Sequence, residues 1–310
     1  MKPIPSSLIP AFLAAGLLAA TILTLERACA AEEKSTVEQN PPPPSTFCRF
    51  VPERLDDFAW ENDLVAFRAY GPALGKGAEN SGIDCWGKRV TYPIVDKWYR
   101  LDLKEKLSYH NDHGEGNDFY HVGKSRGCGG TAIWHNGAMV LSGVYKEWKI
   151  LESGTAKSVF QLSYEYALEG RKISEVKTIT IELGKRLFKS ESAFTENGKP
   201  ADLEIAVGIT THNQHGKVTM NREAGWMSVW EEGLGGFGTG VVMETKRITG
   251  MQEIKTNAPD ESHVILTTHT DVGGRTVHYA GFAWGKAGGI TKPEEWQDYL
   301  TKFASTLMNK

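Results

Sequence analysis

The residues best suited to do chemistry in this sequence lie between Tyr109 and Gly130. Six glycines interrupt any helical or strand period there, so the segment is expected to be a loop whose backbone can turn side chains inward. Imidazoles, carboxylates and a phenol in such a loop can move protons, bind a metal or hold a polar ligand. The residues concerned are His110, Asp112, His113, Glu115, Asp118, Tyr120 and His121. A polar loop whose groups only satisfy one another is the structural alternative.

Aromatic residues beside charges indicate a kind of ligand. The chain has nine tryptophans and ten tyrosines, and several stand next to charged residues. Flat rings stack on the C–H faces of sugars, while charged and amide groups bind hydroxyls and carboxylates, so the combination favours a carbohydrate cleft. Any single tryptophan is more often a core residue. The four clusters are Trp60–Asp63, Trp86–Arg89, Lys97–Arg100 and Trp230–Glu232.

The N-terminus predicts export. Lys2 precedes an apolar run from Leu8 to Leu25, and Ala28-Cys29-Ala30 forms a small-x-small cleavage site. This pattern is typical of a signal peptide over residues 1–30, and it predicts a secreted or periplasmic protein. Lipid attachment at Cys29 is the alternative, disfavoured because Glu26-Arg27 stands where small or apolar residues are required. No other segment is long and apolar enough to span a bilayer.

Net charge and cysteine content argue against two kinds of binding partner, nucleic acid and structural zinc. The formal net charge is -3 and no basic stripe is present, so a nucleic-acid partner is not expected. Three cysteines follow the signal peptide without a CxxC pair, which argues against structural zinc. Either one disulfide with a spare thiol or three buried thiols fits Cys48, Cys85 and Cys128. The sequence carries no signal for an oligomeric state.

The remaining chain reads as a strand-rich domain. A charged, proline-rich leader over residues 31–46 precedes one domain over residues 47–310. Alternating apolar residues and turn pairs such as Asn197-Gly198 predict antiparallel strands, and an apolar stripe predicts a C-terminal helix from Lys292 or Pro293 to Leu307, capped by Thr291. The predicted strands are Leu64–Ala69, Val159–Tyr166, Lys177–Leu183, Leu203–Thr210, Gly240–Glu244, Val264–Thr270 and Val277–Trp284. The pattern also predicts that Val176, Ile179 and Ile181 share one face of a strand, with one irregular step.

Three blocks in order resemble a known bacterial family. They are Phe50–Leu74, Ser81–Tyr99 and Tyr109–Gly130, the last reading YHNDHGEGNDFYHVGKSRGCGG. They are similar to the signature blocks of a family catalogued as a domain of unknown function, whose members occur among secreted enzymes that degrade uronic-acid polysaccharides such as pectin and ulvan. The resemblance implies an all-β fold, a large antiparallel β-sandwich of the galactose-mutarotase-like type with a short C-terminal helix. It also implies an oligosaccharide dehydratase that removes water across C4 and C5 of a terminal uronate.

That reaction needs a base for the C5 proton, a cation for the carboxylate and an acid for the leaving hydroxyl. We expect His113 and Tyr120 to form the proton-transfer pair, because imidazole titrates near neutral pH and nearby cations lower the pKa of a tyrosine. His110 is a further catalytic candidate. Candidates for holding the carboxylate are Arg68, Lys88, Arg89 and Lys97. The other candidates for substrate binding are Trp86, Glu115, Asp118, His212 and Trp230.

Other classes of protein stay open at this point. A glycoside hydrolase would need two carboxylates across a cleft, which Glu115 with Asp118 or Asp57 with Glu61 could supply. A non-catalytic carbohydrate-binding protein would use the tryptophans without the histidines. No cofactor is expected, and a divalent ion on the loop carboxylates and histidines is the alternative. The sequence has no GxSxG, Walker or GxGxxG motif.

Overall fold

The computed structural model describes residues 41–308, and from Pro42 onwards the chain forms one compact unit. The predicted signal peptide and residues 31–40 of the leader lie outside the described residues. The strands are β1 Phe47–Val51, β2 Asp57–Glu61, β3 Ala66–Ala69, β4 Ile83–Lys88, β5 Gly116–Asp118, β6 Cys128–His135, β7 Ala138–Val140, β8 Trp148–Ser153, β9 Lys157–Leu168, β10 Arg171–Glu182, β11 Leu187–Glu196, β12 Lys199–Pro200, β13 Glu204–Thr210, β14 Lys217–Asn221, β15 Trp226–Glu231, β16 Phe237–Val242, β17 Ile248–Ile254, β18 His263–His269 and β19 Arg275–Trp284. The helices are α1 Val95–Glu105 and α2 Pro293–Met308.

The strands form three antiparallel sheets. The first has the order β1-β2-β3-β4-β5, and the second runs β14-β15-β16-β19-β11-β10-β9-β8 with β12 paired to β11. The third has the order β17-β18-β13-β6-β7. One apolar core takes side chains from all three sheets: Phe67 of the first sheet contacts Phe188 of the second edge-on at 5.0 Å, and Val207 of the third belongs to the same cluster. The predicted all-β antiparallel sandwich is confirmed.

Strand β9 shows why alternating apolar residues predicted strands correctly. Phe160, Leu162, Tyr164 and Tyr166 are all buried, and the residues between them are less so. This two-residue period is the pattern of a strand with one face on a core. The seven strands expected from such patterns are all present, with ends shifted by a few residues.

Strand β10 corrects one prediction. Its buried face carries Ile173, Glu175, Lys177, Ile179 and Ile181, whereas Val176 is 41% exposed. The register explains this, because Glu175 pairs with Tyr164 and Lys177 with Leu162 of β9, which face the core. Hydrogen bonds compensate the two buried charges. Glu175 accepts from Tyr166 Oη at 2.7 Å and Ser192 Oγ at 2.5 Å, and Lys177 donates to Thr131 Oγ1 at 2.9 Å.

Helix α2 is confirmed and packs on the second sheet. Trp296 and Leu300 are buried, and the Trp296 indole donates to the Thr239 carbonyl at 3.1 Å. At its start, the Glu295 carboxylate accepts from the Thr291 backbone at 2.7 Å, so the acidic side chain, rather than the Thr291 hydroxyl, satisfies the free amides. No helix among residues 41–308 is both long and apolar enough to cross a membrane.

Helix α1 was not predicted. Its buried residues Val95, Trp98 and Tyr99 follow a helical spacing, and Lys97 and Arg100 lie on the exposed side. The cluster Lys97–Arg100 therefore lies on a helix, with its aromatic residues buried and its charged residues exposed. Cys48, Cys85 and Cys128 are free and buried, which is one of the two arrangements that the sequence left open.

Candidate functional site

Two cavities adjoin along the segment that follows β5. The first, of about 360 Å³, is lined by Arg54, Arg68, His110 and Asp118 among others. The second, of about 420 Å³, is lined on its far side by His212, Asn213, His215, Glu231, Gly233 and Leu234. Phe119 and His121 line both cavities, so we treat them as one cleft with two parts.

The backbone brings these groups together through close approaches. At Gly116 the φ angle is +122°, and a Cβ would lie 1.9 Å from the Gly87 carbonyl oxygen. Only glycine allows β5 to pair with β4 at that point. This pairing places Asp118 opposite Trp86, and Arg68 of β3 is opposite Asp84 of β4. The sheet therefore carries the charged residues into the wall of the first cavity.

Arg68 is shared by three carboxylates. Its Nη2 lies 2.6 Å from Asp84 Oδ2 and 3.0 Å from Asp118 Oδ2, and its Nη1 lies 3.6 Å from Asp57 Oδ2. The guanidinium also lies 5.4 Å from the centre of the Trp86 ring. Arg68 and the carboxylates of Asp57, Asp84 and Asp118 form a group that we call the open cluster. The one guanidinium at its centre cannot neutralise three carboxylates, so protonation of these acids is favoured.

The pKa values of the acids move in that direction. Burial raises the pKa of Asp57 to about 7, although Arg68 and Arg54 oppose it. Burial also raises the pKa of Asp118 well above its ordinary range, and the neighbouring Asp84 raises it further. Asp118 lines the first cavity, so a carboxyl group whose pKa is raised by burial and by Asp84 faces the cleft.

Arg54 is the main residue that the sequence analysis missed. Its Nε donates to Tyr109 Oη at 2.9 Å, and its two terminal nitrogens have no partner among the described residues. It lies at the wall of the first cavity with part of a guanidinium fork unused. No motif marked this arginine, since it stands in a turn after β1 and contacts Tyr109, 55 residues away.

His110 lies next to Asp118. Its Nδ1 is 3.2 Å from the Asp118 carbonyl oxygen and 3.4 Å from Asp118 Oδ2. The Nε2 atom has no partner among residues 41–308, and the ring lies in the wall of the same cavity as Arg54. A base, an acid and an unused cation therefore share the first cavity.

His212 organises the second cavity. Its Nδ1 lies 2.7 and 2.8 Å from the two oxygens of Glu231, and its Nε2 lies 2.6 Å from the His121 carbonyl oxygen. Burial works to lower the pKa of His212, but Glu231 and the His121 carbonyl outweigh it, so the pKa is raised. Because both ring nitrogens meet acceptors, the imidazolium form is favoured.

The turn that carries His212 is strained. His212, Asn213 and Gln214 have φ angles of +44°, +56° and +72°. Such left-handed residues cost roughly 1–2 kcal/mol each when they are not glycine. The ion pair with Glu231 and the bond from the Asp260 amide to Asn213 Oδ1 at 3.2 Å hold the turn in place.

Several predicted site residues belong to neither cavity. His113 is exposed and lines a separate pocket of about 110 Å³ with Lys97 and Glu115, so it does not share a cleft with Tyr120. Lys97 Nζ lies 2.5 Å from Glu115 Oε1, and Glu115 also accepts from the Trp98 indole at 3.1 Å. Arg89 pairs with Asp112 at 2.8 Å.

Three further candidates are buried and fully engaged. Lys88 Nζ donates to Glu61 Oε2 at 2.7 Å and to the carbonyls of Asn62 and Tyr92 at 2.8 Å each, which leaves no donor for a substrate. Trp86 lies in the core under α1. Trp230 packs under α2, and its indole donates to Glu232 at 2.8 Å. Their assignment to substrate binding was wrong.

Tyr120 lies in the wall of the first cavity, but its hydroxyl does not face it. The hydroxyl oxygen is buried and makes no hydrogen bond to any described residue, and the ring packs edge-on against His212 at 4.7 Å. Burial raises the pKa of Tyr120 well above its ordinary value, with Cys85 and Cys128 adding to the effect. The expectation of a lowered pKa was therefore wrong. Among the described residues no group of three or more His, Cys, Asp or Glu is arranged to hold a metal ion.

Fold and site together define an antiparallel β-sandwich that carries a cleft lined by ionisable side chains at the edge of its first sheet. Residues 19–310 match the model of a family described as a domain of unknown function (DUF4861), and the chain belongs to that family. The family predicted from the three sequence blocks is thus confirmed, and its link with uronic-acid polysaccharides stays a prediction.

One relative and two solved structures show the range of similarity. Uncharacterized protein P7 of Formosa agariphila is 35% identical over 272 residues, which cover 84% of this chain and 67% of the relative. A putative kojibiose phosphorylase from human microbiome is 9% identical with a TM-score of 0.40, over 85% of this chain and 36% of that one. The GH36 alpha-galactosidase AgaA from Geobacillus stearothermophilus is 9% identical with a TM-score of 0.36, over 73% and 40%. The chain spans less than half of these two enzymes, and likeness at this level says nothing about function.

Proposed function

We propose that this protein is a carbohydrate-active enzyme that removes water across C4 and C5 of a terminal uronate in an oligosaccharide. The observation that carries the proposal is the first cavity, in which the unused donors of Arg54, the imidazole of His110 and the carboxyl of Asp118, whose pKa is raised by burial, share one space. The resemblance of the three sequence blocks to enzymes of uronic-acid polysaccharide degradation supports the substrate class.

The cation acts on the carboxylate of the sugar. Arg54 binds the uronate carboxylate through its terminal nitrogens and stabilises the negative charge that develops when the C5 proton leaves. Arg68 lies behind it as a second positive charge in the cavity wall. Because the carboxylate acidifies the C5 proton, this interaction lowers the barrier to its removal.

His110 and Asp118 move the protons. His110 Nε2 takes the proton from C5, the C4–O bond breaks, and Asp118 gives its proton to the departing hydroxyl, which leaves as water. A C4=C5 double bond remains in the sugar. His110 Nδ1 lies 3.4 Å from Asp118 Oδ2, so the Nδ1 proton can pass to Asp118 and restore its acid form. The imidazole then returns to its starting tautomer when Nε2 releases the C5 proton to water and Nδ1 takes a proton from water.

The test is to incubate the protein with a disaccharide that ends in glucuronate. The proposal expects a product lighter by one water, with the ultraviolet absorbance of an unsaturated uronate and an intact glycosidic bond. Cleavage with a new double bond would indicate a polysaccharide lyase, and binding without conversion would indicate a carbohydrate-binding protein. Either outcome contradicts dehydration.

Hydrolysis is the second candidate. The carboxylate pairs expected for it do not face each other across the cleft, because Glu61 is buried against Lys88 and Glu115 lines a different pocket from Asp118. Glu79, however, lines the first cavity with Asp118, and two carboxyl groups in one cavity suit a glycosidase. Gain of one water with cleavage of the disaccharide identifies this reaction.

The proposal includes export. The predicted signal peptide would place the enzyme where polysaccharide fragments outside the cytoplasm can reach it. The mass of the protein recovered from the medium or periplasm tests this, since an N-terminus that still carries residues 1–30 would contradict cleavage.

A further inference from the structure

The second cavity has no part in the dehydration chemistry, although it adjoins the first. We propose that the second cavity is the subsite for the sugar that is linked to the uronate, so that the substrate is at least a disaccharide. This inference rests on the proposed function and adds the position of the second sugar.

The shapes of the two cavities support it. Their volumes are similar, about 360 and 420 Å³, so each has room for a group of similar size. Phe119 and His121 line both. A ligand that enters the first cavity as the end of a chain therefore has its next residue beside Phe119, in the second.

The two cavities differ in the charged residues of their walls, and this difference determines which end of the bound oligosaccharide enters which cavity. The first cavity contains two guanidinium groups, which suit a carboxylate. The second contains no lysine or arginine, and the charge of His212 is opposed by Glu231. A neutral sugar ring suits this second environment, since burying an unpaired carboxylate there would be costly.

The second cavity also offers the contacts that a sugar ring uses. Phe119 and Leu234 give it apolar surface for the C–H face of the ring. The His215 ring and the Asn213 amide nitrogen have no partner among the described residues and can bond hydroxyl groups. The bonds of His212 to Glu231 and to the His121 carbonyl hold these walls in place before a ligand arrives, which reduces the cost of ordering.

Gly233 allows a direct test. A Cβ there meets no described atom within 4 Å, and its φ is outside the left-handed region, so a side chain can start from this position without strain. Gly233→Tyr would add a large ring at the wall of the second cavity, and Gly233→Ala is the matched control. Both variants should unfold thermally at or above the parent temperature, because glycine is replaced by residues that reduce the freedom of the unfolded chain.

Each variant is assayed with methyl glucuronide and with a disaccharide that ends in glucuronate. We expect the parent to favour the disaccharide in kcat/KM by about tenfold or more, the usual scale for filling or emptying one pocket. Gly233→Tyr should lose this preference, because its kcat/KM for the disaccharide falls to the level of its own kcat/KM for methyl glucuronide, and His215→Ala should lose part of it. A parent that treats both substrates alike, or a Gly233→Tyr that loses both equally, overturns the subsite.

Binding separates this inference from the proposed function. If neither compound loses water, the dehydratase proposal fails, and calorimetric Kd values for the same two compounds then decide about the subsite. Tighter binding of the disaccharide that Gly233→Tyr weakens supports the subsite. Equal or undetectable binding of the two compounds overturns it.

Discussion

Two buried groups of charged residues in the first sheet differ in whether every charged atom has a hydrogen-bond partner. The Lys88–Glu61 pair, the sealed pair, uses all three ammonium hydrogens, and Glu61 also accepts from the Ile94 and Val95 amides at the start of α1. In the open cluster Asp57 Oδ1 and Arg68 Nε have no hydrogen-bond partner among residues 41–308, and the cluster reaches a cavity.

The difference teaches that burial and residue type are poor guides to function. Both groups combine a basic residue with carboxylates, and all of these residues are buried. In the sealed pair every charge is matched, so it fixes the N-terminus of α1. In the open cluster burial raises the pKa values of the three acids, and the single cation at their centre does not cancel this effect.

The largest expected effect is on the sealed pair. Lys88→Met should lower the free energy of unfolding by about 3–5 kcal/mol, because it leaves the buried Glu61 carboxylate without its cation. Urea or thermal unfolding measures it. Lys97→Met is the control, since its pair with Glu115 is exposed on the lysine side and should contribute less than about 1 kcal/mol. Equal effects of the two variants would contradict the comparison.

Asp118→Asn tests the open cluster. Asparagine keeps the shape of the protonated acid but cannot donate its proton to a leaving group. Turnover of the uronate disaccharide should fall by about 10²–10⁴, the usual range for a proton-transfer group, with little change in unfolding temperature. Asp112→Asn, on the exposed pair with Arg89, should keep parental turnover. Parental kcat in Asp118→Asn would remove this residue from the mechanism.

Arg54→Ala tests the unused cation. KM for the uronate should rise by about tenfold to hundredfold and kcat should fall, because a charge-assisted hydrogen bond to the carboxylate and its stabilisation of the developing charge are lost. Steady-state kinetics measures it, and Arg54→Lys should recover part of the loss. Arg100→Ala removes an arginine of α1 that lies outside both cavities and should change nothing. An unchanged KM in Arg54→Ala would mean that another group holds the carboxylate.

The His212–Glu231 pair shares one property with each group. Both ring nitrogens of His212 have acceptors, as the ammonium group has in the sealed pair, but the pair lines the cleft, as the open cluster does. The folded-state pKa of His212 is raised, so its contribution to stability is complete below the unfolded value of about 6.5 and is lost as pH rises through the folded value. The difference in unfolding temperature between the parent and His212→Gln should therefore shrink at alkaline pH. A constant difference across that window would show that the charge of His212 is not involved.

The smallest effect is expected at Tyr120. Its hydroxyl is buried without a partner in the described part of the chain, so Tyr120→Phe removes a polar atom that gains nothing from the fold. Turnover should stay within about twofold of the parent, and stability should be unchanged or slightly higher. Kinetics and thermal unfolding of this variant check both. A loss of two orders of magnitude would restore Tyr120 as a proton-transfer residue.

The fold was largely predictable, because each strand repeats its own local pattern. Phe160 to Tyr166 show their buried face without reference to any other part of the chain. Val176 was misplaced because the face of β10 depends on its register with β9, which buries Glu175 and Lys177 instead. Helix α1 was missed because its three buried residues stand among charges.

The sequence predicted which part of the chain lines the cleft, but not the role of each residue in it. Asp118, His110, Arg68 and His212 were expected and do line the cleft. The roles inside it depend on contacts between distant residues, such as Arg54 with Tyr109 or Lys88 with Glu61, 27 positions apart. Composition and spacing do not count partners, so they could not separate a complete set of hydrogen bonds from an incomplete one.

The three free thiols have a practical consequence for studies of this protein. Cys48, Cys85 and Cys128 are enclosed in the core, and burial raises the pKa of Cys48 to about 11 and that of Cys85 well above its ordinary range. Alkylating reagents need a thiolate and access to it. The rate at which such a reagent modifies the native protein therefore measures how often the sandwich opens, and no artificial label has to be introduced.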